Sequence, residues 1–402
     1  MKYNGYIISD IHIGANNIEK LYDEFTSIFI NTLKQDKKHI DFIVICGDYF
    51  DHKLFLNQKE SSYAYTMMND IINAVDSDTK IRLVYGTESH ECDQYSIISK
   101  LSSIKNIDIK VVKYVEEEEL LPDLNVLYLP EEHIYDKQEY YKDYLSNTKK
   151  YDYIFGHGII REAMAVAATK VENNTQRRKK VPVFSTAELR SICKGETYFG
   201  HYHVNTEMDG VYYVGSFTRW QFGEEERKGF YHVMYKSKDD KVEYNHEFIE
   251  NTLCDVYKTI SFGYQNKIYN DIPTLDGELD KIDKMIKQKL FDHVRFEFNI
   301  PEECENPEFL INYINEKYKF NDKIKTEIVH GYIENKRQRE KEEVKKENDK
   351  YSFIFDKGMK LEEKASYFIG IEYNREIPAN RISIYLYKPL NEILDGDENV
   401  IQ

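Results

Sequence analysis

Cysteine is scarce in this sequence, and the few that are present stand far apart. Among the 402 residues, five are cysteine, namely Cys46, Cys92, Cys193, Cys254 and Cys304. No two of them form a CxxC pair, and an odd number cannot pair completely within one chain. The sequence therefore indicates neither a disulfide framework nor a zinc ribbon, and we interpret each cysteine as a reduced thiol.

Long apolar runs are also missing. A membrane-spanning helix needs roughly 18 or more consecutive apolar residues, and no stretch of this chain approaches that length. The N-terminus, MKYNGYIISD, leads straight into a predicted strand, without the apolar core and small-residue cleavage site of a secretory leader. We therefore expect a cytoplasmic protein with no membrane partner.

Positive charge is in the minority. The chain has 55 Lys and Arg against 71 Asp and Glu, which gives a net charge of −16. This argues against a protein that coats nucleic acid, because phosphate binding favours a basic face. It does not exclude an enzyme that holds phosphates through metal ions. One local basic run stands out, Arg177-Arg178-Lys179-Lys180.

What the first half does contain is an alternation of apolar strands and amphipathic helices. Residues 6–9, 41–46 and 81–85 are short apolar runs, and residues 18–33 and 61–75 have apolar side chains at helical spacing. Further predicted strands follow at NVLYL, DYIF, TYFG, VYYVG and FYHVMY. The order predicts an α/β sandwich of two facing sheets with helices outside.

The pattern changes near residue 250, and the length of the chain suits two or three domains. We predict a first domain over residues 1–249 and a compact α/β unit over residues 250–334. Residues 335–350 are almost purely charged and are interpreted as a solvated linker or exposed helix. The tail, residues 351–402, regains apolar content.

Asp and His recur just after the predicted strands. Loops at strand ends are where an α/β sheet presents reactive groups. The residues in question are Asp10, His12, Asp48, Asp51, His90, His157, His201 and His203.

The spacing of these residues suits metal binding. In D-x-H and H-x-H, residues i and i+2 lie on one side of an extended segment, so both side chains can reach one ion. Carboxylate oxygen with imidazole nitrogen suits Mn, Fe or Zn better than Mg or Ca. Two neighbouring ions need one shared carboxylate, and Asp48 is the natural bridge. Such a pair of ions activates water and clamps the oxygens of a phosphate ester.

Each piece alone has an ordinary explanation. A single DxH arises by chance, and GDxxD can be a turn with capping aspartates. All the pieces in order, each after an apolar strand, favour a metal centre.

The ordered pattern DxH…GDxxD…H…GHxH resembles that of the calcineurin-like metallophosphoesterases. Within that superfamily, GDYFDH and the run YVGSFTRWQFGEEERKGFYHV are similar to the SbcD-type nuclease subunits. The similar motifs cover residues 1 to about 235. The resemblance implies a four-layer α/β sandwich, a small α/β capping domain and a C-terminal segment that docks on a partner.

The resemblance also implies roles for individual residues. One metal ion would be held by Asp10, His12 and His203, and a second by His157 and His201, with Asp48 bridging the two. His90 would be the catalytic histidine, and Asp51 would orient a ligand. The two divalent ions are expected to be Mn, with Mg, Fe or Zn as alternatives.

The stretch GTESHE departs from the family, whose pattern at this place is Gly-Asn-His-Asp/Glu with a metal-binding Asn. Aligned on His90, Ser89 replaces the Asn; aligned on Gly86, two residues have been inserted. Ser89, Glu88 or a water molecule could fill the gap. These three alternatives stay open at this point.

By resemblance, the expected partners are duplex DNA ends, an SbcC-like ATPase and a second copy of the chain, in a bacterial or phage-infected bacterial cell. Arg177, Arg178, Lys179 and Lys180 could contact the phosphate backbone, or could simply be a solvated loop. The leading hypothesis is an Mn-dependent DNA exo- or endonuclease that serves repair, recombination or phage DNA processing. The alternatives are a small-molecule or nucleotide phosphodiesterase, and a non-catalytic subunit that binds DNA ends.

Overall fold

The structure is a computed structural model of the chain. The residues that it describes are 1–15, 17–103, 106–146, 150–164, 180–239, 241–262, 272–288, 290–299, 307–319, 324–329, 360, 363–366 and 369. Three residues of the basic run, Arg177, Arg178 and Lys179, lie outside this description. So do the predicted linker 335–350 and nearly all of the tail 351–402.

The first of two large sheets is built on parallel strands, and all of these except the one at the sheet edge are buried along most of their length. Its order is β14-β13-β1-β2-β3-β4, where β13 lies antiparallel to β1 and the strands from β1 to β4 are parallel. Continuous apolar runs such as FIVIC form these strands because both faces of a parallel sheet are covered. The bounds are β1 (Lys2–Ile8), β2 (Phe42–Cys46), β3 (Lys80–Val84), β4 (Asp108–Val112), β13 (Gly229–Lys238) and β14 (Lys241–Glu250).

The second large sheet has a similar parallel centre. Its order is β11-β12-β10-β7-β6-β5, with β6, β7, β10 and β12 parallel and one antiparallel strand at each edge. The bounds are β5 (Glu116–Leu121), β6 (Leu124–Leu129), β7 (Tyr151–His157), β10 (Cys193–Gly200), β11 (Thr206–Met208) and β12 (Val211–Tyr213). Between β7 and β10 along the chain, β8 (Ile159–Ile160) and β9 (Val183–Phe184) form a short parallel pair.

Helices cover the outer faces of the two sheets. The bounds are α1 (Ile18–Glu24), α2 (Asn31–Gln35), α3 (Lys59–Ala74), α4 (Glu88–Glu91), α5 (Tyr95–Ser99), α6 (Lys137–Tyr141), α7 (Arg161–Met164) and α8 (Thr186–Ile192). One turn of 3₁₀-helix follows α5 at Lys100–Ser103.

Three apolar cores make this a layered sandwich. One core packs α1 to α3 against the first sheet, and another packs α6 and α8 against the second. The third lies between the sheets, where Val44 of β2 meets Phe155 of β7 and Tyr198 of β10. The predicted fold class, mixed α/β with two facing sheets flanked by helices, is confirmed.

The predicted helix over residues 18–33 is helical throughout but not uniform. Its middle, Phe25–Ile30, is a π-helix between α1 and α2. Phe25, Phe29 and Ile30 are buried there. An extra residue per turn shifts the face of a helix, and π segments of this kind often lie at functional sites. Apolar periodicity alone does not distinguish this segment from an α-helix.

Beyond residue 250, where the sequence predicts an α/β unit, strands and helices alternate in the described residues. They are β15 (Tyr257–Phe262), α9 (Ile272–Lys287), β16 (His293–Asn299), α10 (Pro307–Tyr318) and β17 (Ile324–Val329), and the strands form a small sheet in the order β15-β16-β17. The four edge strands of the two large sheets, β4, β5, β11 and β14, and the short strands β8 and β9 have no counterpart among the predicted strands.

The chain divides into two compact units. The first comprises residues 1–260, 277–295 and 322–324, and it holds both large sheets. The second comprises residues 261–276, 296–321 and 325–402. The domain bounds proposed from the sequence, at residues 249, 334 and 350, stay a prediction. None of the helices in the described part of the chain has the length and apolar character to cross a lipid bilayer.

An ion pair links the two large sheets. Arg82 of β3 is 1% exposed; its guanidinium donates to both carboxylate oxygens of Glu118 on β5, at 2.9 and 2.7 Å, and to Asp108 on β4. Truncating one partner of a buried ion pair leaves the other charge without compensation.

We expect Arg82→Ala to lower the free energy of unfolding by about 3 kcal/mol. Lys236→Ala, which removes an exposed pair with Glu243, should cost less than about 1 kcal/mol. Thermal and urea unfolding of the two variants would measure the difference. Equal stability of both variants would contradict a structural role for the Arg82 pair.

Candidate metal centre

The carboxyl ends of the central strands in both sheets meet at one edge of the sandwich. Asp10 and Asp48 follow β1 and β2, whose register pairs Ile8 with Ile45. The two loops are joined by backbone hydrogen bonds, from Asp10 N to Gly47 O at 3.1 Å and from His12 N to Asp48 O at 3.0 Å. His157 ends β7, and His201 and His203 follow β10. The predicted ligands therefore share one location.

One cluster brings together Asp10, His12 and His203. The Nε2 atoms of His12 and His203 lie 3.2 Å apart, and Nε2 of His12 lies 3.8 Å from Oδ1 of Asp10. All three side chains are buried or half-buried. This is the set that the resemblance assigns to the first ion.

A second cluster brings together His157, His201 and a residue that was not predicted, Glu131. Nδ1 of His201 lies 3.2 Å from Oε2 of Glu131, and Nε2 of His157 lies 4.0 Å from the same oxygen. This set coincides with the predicted second site and adds a carboxylate to it.

Asp48 lies between the two clusters. Its Oδ2 is 3.6 Å from Nε2 of His12 on one side and 3.3 Å from Nε2 of His157 on the other. It belongs to candidate groups with His12 and His90 and with Asp10 and His157. This is the position that a bridging carboxylate needs.

The hydrogen bonds at the far ring nitrogens test whether a cation fits. Nδ1 of His157 lies 2.8 Å from the carbonyl oxygen of Cys46, which can only accept, so Nδ1 carries the proton. Nδ1 of His12 faces Asp51 at 3.1 Å, and Nδ1 of His203 faces Glu224 at 2.9 Å. In the neutral rings, each Nε2 is therefore a bare lone pair.

These lone pairs point at other acceptors. Nε2 of His12 faces Nε2 of His203, and Nε2 of His157 faces a carboxylate oxygen of Asp48. Acceptors that face each other at such distances need a positive charge between them. Imidazole rings held by carboxylates and carbonyls in this way are the usual arrangement around metal ions. The residues present thus fit two divalent cations.

The local electrostatics favour positive charge at both sites. Burial opposes it, but hydrogen bonds with Asp10 and Asp51 raise the pKa of His12 to about 9. At His157, burial is likewise outweighed by Asp48, which raises the pKa to about 10. The hydrogen bond with His12 lowers the pKa of Asp51 to about 2. The negative field that favours a proton on these rings favours a metal cation equally.

The backbone at the site is strained. Asp10, His12 and Asp48 have φ near +50°, and His201 has φ of 102°. Left-handed backbone at a non-glycine residue costs of the order of 1 kcal/mol or more and persists where the surroundings impose it. Gly47, with φ of 83°, makes room for the ring of His157, because a Cβ would lie 2.1 Å from its Nδ1. Burial of ligands in a small space explains both features.

The stretch GTESHE forms a turn of helix rather than a plain loop. Thr87 precedes α4, which holds Glu88, Ser89, His90 and Glu91. Glu88 and Ser89 are exposed, and the side chain of Glu88 is 77% accessible, nearest to His133. Which of Ser89, Glu88 and a water molecule replaces the Asn of the family pattern stays a prediction.

His90 still reaches the site after the insertion. Its Nδ1 lies 2.9 Å from Oδ2 of Asp48, and its ring centroid is 4.9 Å from that of His12. This hydrogen bond raises the pKa of His90, although burial opposes the shift. Asp51 contacts the ring of His12, where the resemblance places an orienting residue. Both functional roles remain predictions.

Glu91 ties the loops together beneath the site. Its buried carboxylate accepts from Tyr95 OH at 2.6 Å, and from the backbone N–H groups of Tyr49 and Gly86 at 3.3 Å each. Burial, together with the charge of Asp48, raises the pKa of Glu91 to about 7.

The sequence patterns missed residues that touch the ligands. Glu131, Thr87, Glu224 and Trp220 belong to no spacing motif, yet Glu224 contacts His203 and Trp220 packs against the rings of His12 and His203, with centroids 5.0 Å away in each case. Position was the signal for Glu131 and Thr87, since both follow a buried strand, whereas Trp220 and Glu224 lie in the run YVGSFTRWQFGEEERKGFYHV that carries part of the resemblance. Of the basic run, only Lys180 is described; its backbone pairs with Ile134, three residues beyond Glu131.

Comparison with known proteins adds one finding. Residues 6–205 match the family model described as calcineurin-like phosphoesterase. A search among curated proteins finds no match to the chain. The matched range contains all six predicted metal ligands and His90.

Glu224→Gln tests whether the carboxylate that orients His203 matters for ion binding. We expect affinity for one of two Mn²⁺ ions to fall about 10- to 100-fold, because the amide no longer fixes the proton on Nδ1 of His203. Glu225→Gln is the matched control, since Glu225 pairs with Lys258 at the surface. Calorimetric titration of metal-free protein would measure both. Equal affinities in the two variants would contradict the orienting role.

Proposed function

We propose that this chain, whose residues 6–205 match the calcineurin-like phosphoesterase family model, is a metal-dependent hydrolase and, more specifically, a two-metal DNA phosphodiesterase. We infer further that it is an SbcD-like nuclease subunit that acts on DNA ends with an SbcC-like ATPase. The observation that carries the phosphodiester chemistry is the set of imidazole lone pairs facing one another and Asp48 at the meeting edge of the two sheets.

The residues have distinct tasks in this proposal. Asp10, His12 and His203 would hold one ion, and His157 and His201 the other, with Asp48 shared. When bound, the two ions supply Lewis-acid activation of water and charge stabilisation at the phosphate. Asp51 and Glu224 keep the proton on Nδ1 of His12 and His203, which leaves each Nε2 free to bind.

His90 is placed to move a proton. Its Nδ1 donates to Asp48, so a second proton on the ring would sit on Nε2. The side chain is 31% exposed and can meet a substrate from solution. A protonated Nε2 would donate to the leaving oxygen of the phosphate ester.

DNA as the substrate is supported by the similarity of residues 1 to about 235 to the SbcD-type nucleases, and by the extra α/β unit after residue 250. Backbone pairing of Lys180 with Ile134 brings the end of the basic run close in space to the Glu131 loop. Contacts of Arg177, Arg178, Lys179 and Lys180 with the phosphate backbone belong to this proposal. Since the net charge is −16, metal ions would provide much of the attraction for phosphate.

The partners follow from the same similarity. We propose that the tail, residues 351–402, docks on the ATPase, that residues 250–334 cap the site and contact DNA, and that two copies of the chain assemble. Mn is the proposed native metal because the ligands mix carboxylate oxygen and imidazole nitrogen.

Cleavage of a labelled linear DNA duplex tests the proposal. We expect Mn²⁺-dependent degradation that falls at least about 100-fold in Asp48→Asn, because Asp48 would be shared by both ions, whose charge stabilisation would be worth several kcal/mol. In His90→Ala the rate of DNA cleavage should fall roughly 100- to 10,000-fold, because the proton donor is missing. The exposed Asp23 of α1 provides the control Asp23→Asn, which should cleave at the wild-type rate.

Substrate choice separates the outcomes. Faster turnover of bis-p-nitrophenyl phosphate with no cleavage of DNA, even with an SbcC-like ATPase and ATP, would replace the nuclease by a small-molecule phosphodiesterase. Metal binding without hydrolysis of either substrate would replace it by a non-catalytic DNA-end-binding subunit.

A further inference from the structure

We propose that Glu131 is a ligand of the second ion, and that its carboxylate supplies the oxygen which the Asn of Gly-Asn-His supplies elsewhere in the family. This inference rests on the two-metal part of the proposed function and is independent of whether DNA is the substrate.

Glu131 reaches the second site although it comes from a different loop. Its Oε2 lies 3.2 Å from Nδ1 of His201, 4.0 Å from Nε2 of His157 and 3.4 Å from Oγ1 of Thr87. The residue is 7% exposed. A carboxylate that is this buried needs a compensating charge. Here Nδ1 of His201 and Nε2 of His157 converge on the same oxygen of Glu131, as ligands of one ion do.

A backbone hydrogen bond fixes the position of the Glu131 loop. Glu131 N donates to Tyr85 O at 3.1 Å, so the loop after β6 is tied to the residue just before Gly86-Thr87. The two loops belong to different sheets. The side chain of Glu131 is thereby held beside the place where GTESHE departs from the family pattern.

Thr87 occupies the place of the missing Asn. It follows Gly86 directly, its N–H donates to Oδ1 of Asp48 at 2.7 Å, and its Oγ1 lies 3.3 Å from Oδ2 of Asp48 and 3.5 Å from Nε2 of His157. Its hydroxyl is a neutral oxygen on a side chain shorter than that of Asn. The structure thus supports the alignment on Gly86, with Glu88 and Ser89 as the insertion. One oxygen ligand is weakened at this place, and Glu131 adds another beside it.

The exchange changes the charge of the centre. With neutral histidines, the carboxylates of Asp10, Asp48 and Glu131 contribute three negative charges against two divalent ions, where a neutral amide in place of Glu131 would leave two. The additional carboxylate strengthens cation binding and suits Mn²⁺ and Mg²⁺, which prefer oxygen ligands.

The test counts ions with a readout that does not depend on activity. Metal-free protein is dialysed against Mn²⁺, and bound Mn is quantified, for the wild type and for Glu131→Ala, Glu131→Gln and Glu88→Ala. The chain has one tryptophan, Trp220, which packs against His12 and His203, so quenching of its fluorescence by Mn²⁺ reports on the first site.

We expect the wild type and Glu88→Ala to bind two Mn²⁺ ions per chain. In Glu131→Ala the dissociation constant of one ion should rise at least about 10-fold, while the Trp220 transition stays at the wild-type concentration. Glu131→Gln keeps an oxygen on a side chain of the same length, so its dissociation constant should lie between those of the wild type and Glu131→Ala. Adding Thr87→Asn to Glu131→Ala restores the family's amide and should recover tight binding of the second ion.

The outcomes separate this inference from the proposed function. Two ions bound by Glu131→Ala with wild-type affinity would overturn the role of Glu131 alone. A wild type that binds no Mn²⁺ would overturn both. Melting temperatures in EDTA within a few degrees of the wild type identify variants that are folded, and if Glu131→Ala is not, Glu131→Gln carries the comparison. Failure of Thr87→Asn to restore binding would overturn the assignment of Thr87 to the amide's place.

Discussion

The meeting of negative charge and bare imidazole nitrogen around Asp48 is the constraint on which the rest of the site depends. Acceptors from both sheets point into one small volume, and they can remain there only around positive charge. Asp48 is held by the N–H of Thr87 and by the ring of His90, and its oxygens face His12 on one side and His157 on the other. Two half-sites therefore share one carboxylate.

The layered fold places the site at the edge where the carboxyl ends of the parallel strands meet. Parallel strands place their carboxyl ends together, and the core between the sheets brings β2 against β7 and β10. The chain accepts left-handed backbone at Asp10, His12 and Asp48 to direct these side chains inward. The stability lost to this strain is offset by the buried packing of the sandwich, since strain persists only where surroundings impose it.

The same physics explains how an acidic chain could act on a polyanion. A net charge of −16 repels phosphate at long range, but ions held between the sheets would present local positive charge where the ester would bind. An additional carboxylate at Glu131 would reduce that local charge and tighten the hold on the metal. In the proposed centre, Glu131 thus weakens the attraction for phosphate and strengthens the binding of the metal ions.

The sequence by itself determined the central strands of the two large sheets, the longer helices and the side chains that follow the parallel strands. Apolar runs predict buried strands, and the patterns D-x-H and H-x-H predict two side chains on one side of an extended segment. Only the tertiary structure decided that Thr87 lies beside His157 and that Glu131 lies beside Thr87 and His201. Glu131 lies in LPEEHIYD, where nothing in the spacing distinguishes it from Glu132. Its proximity to the site arises because loops from two different sheets are brought together in space, and the short-range patterns of a sequence contain no information on that contact.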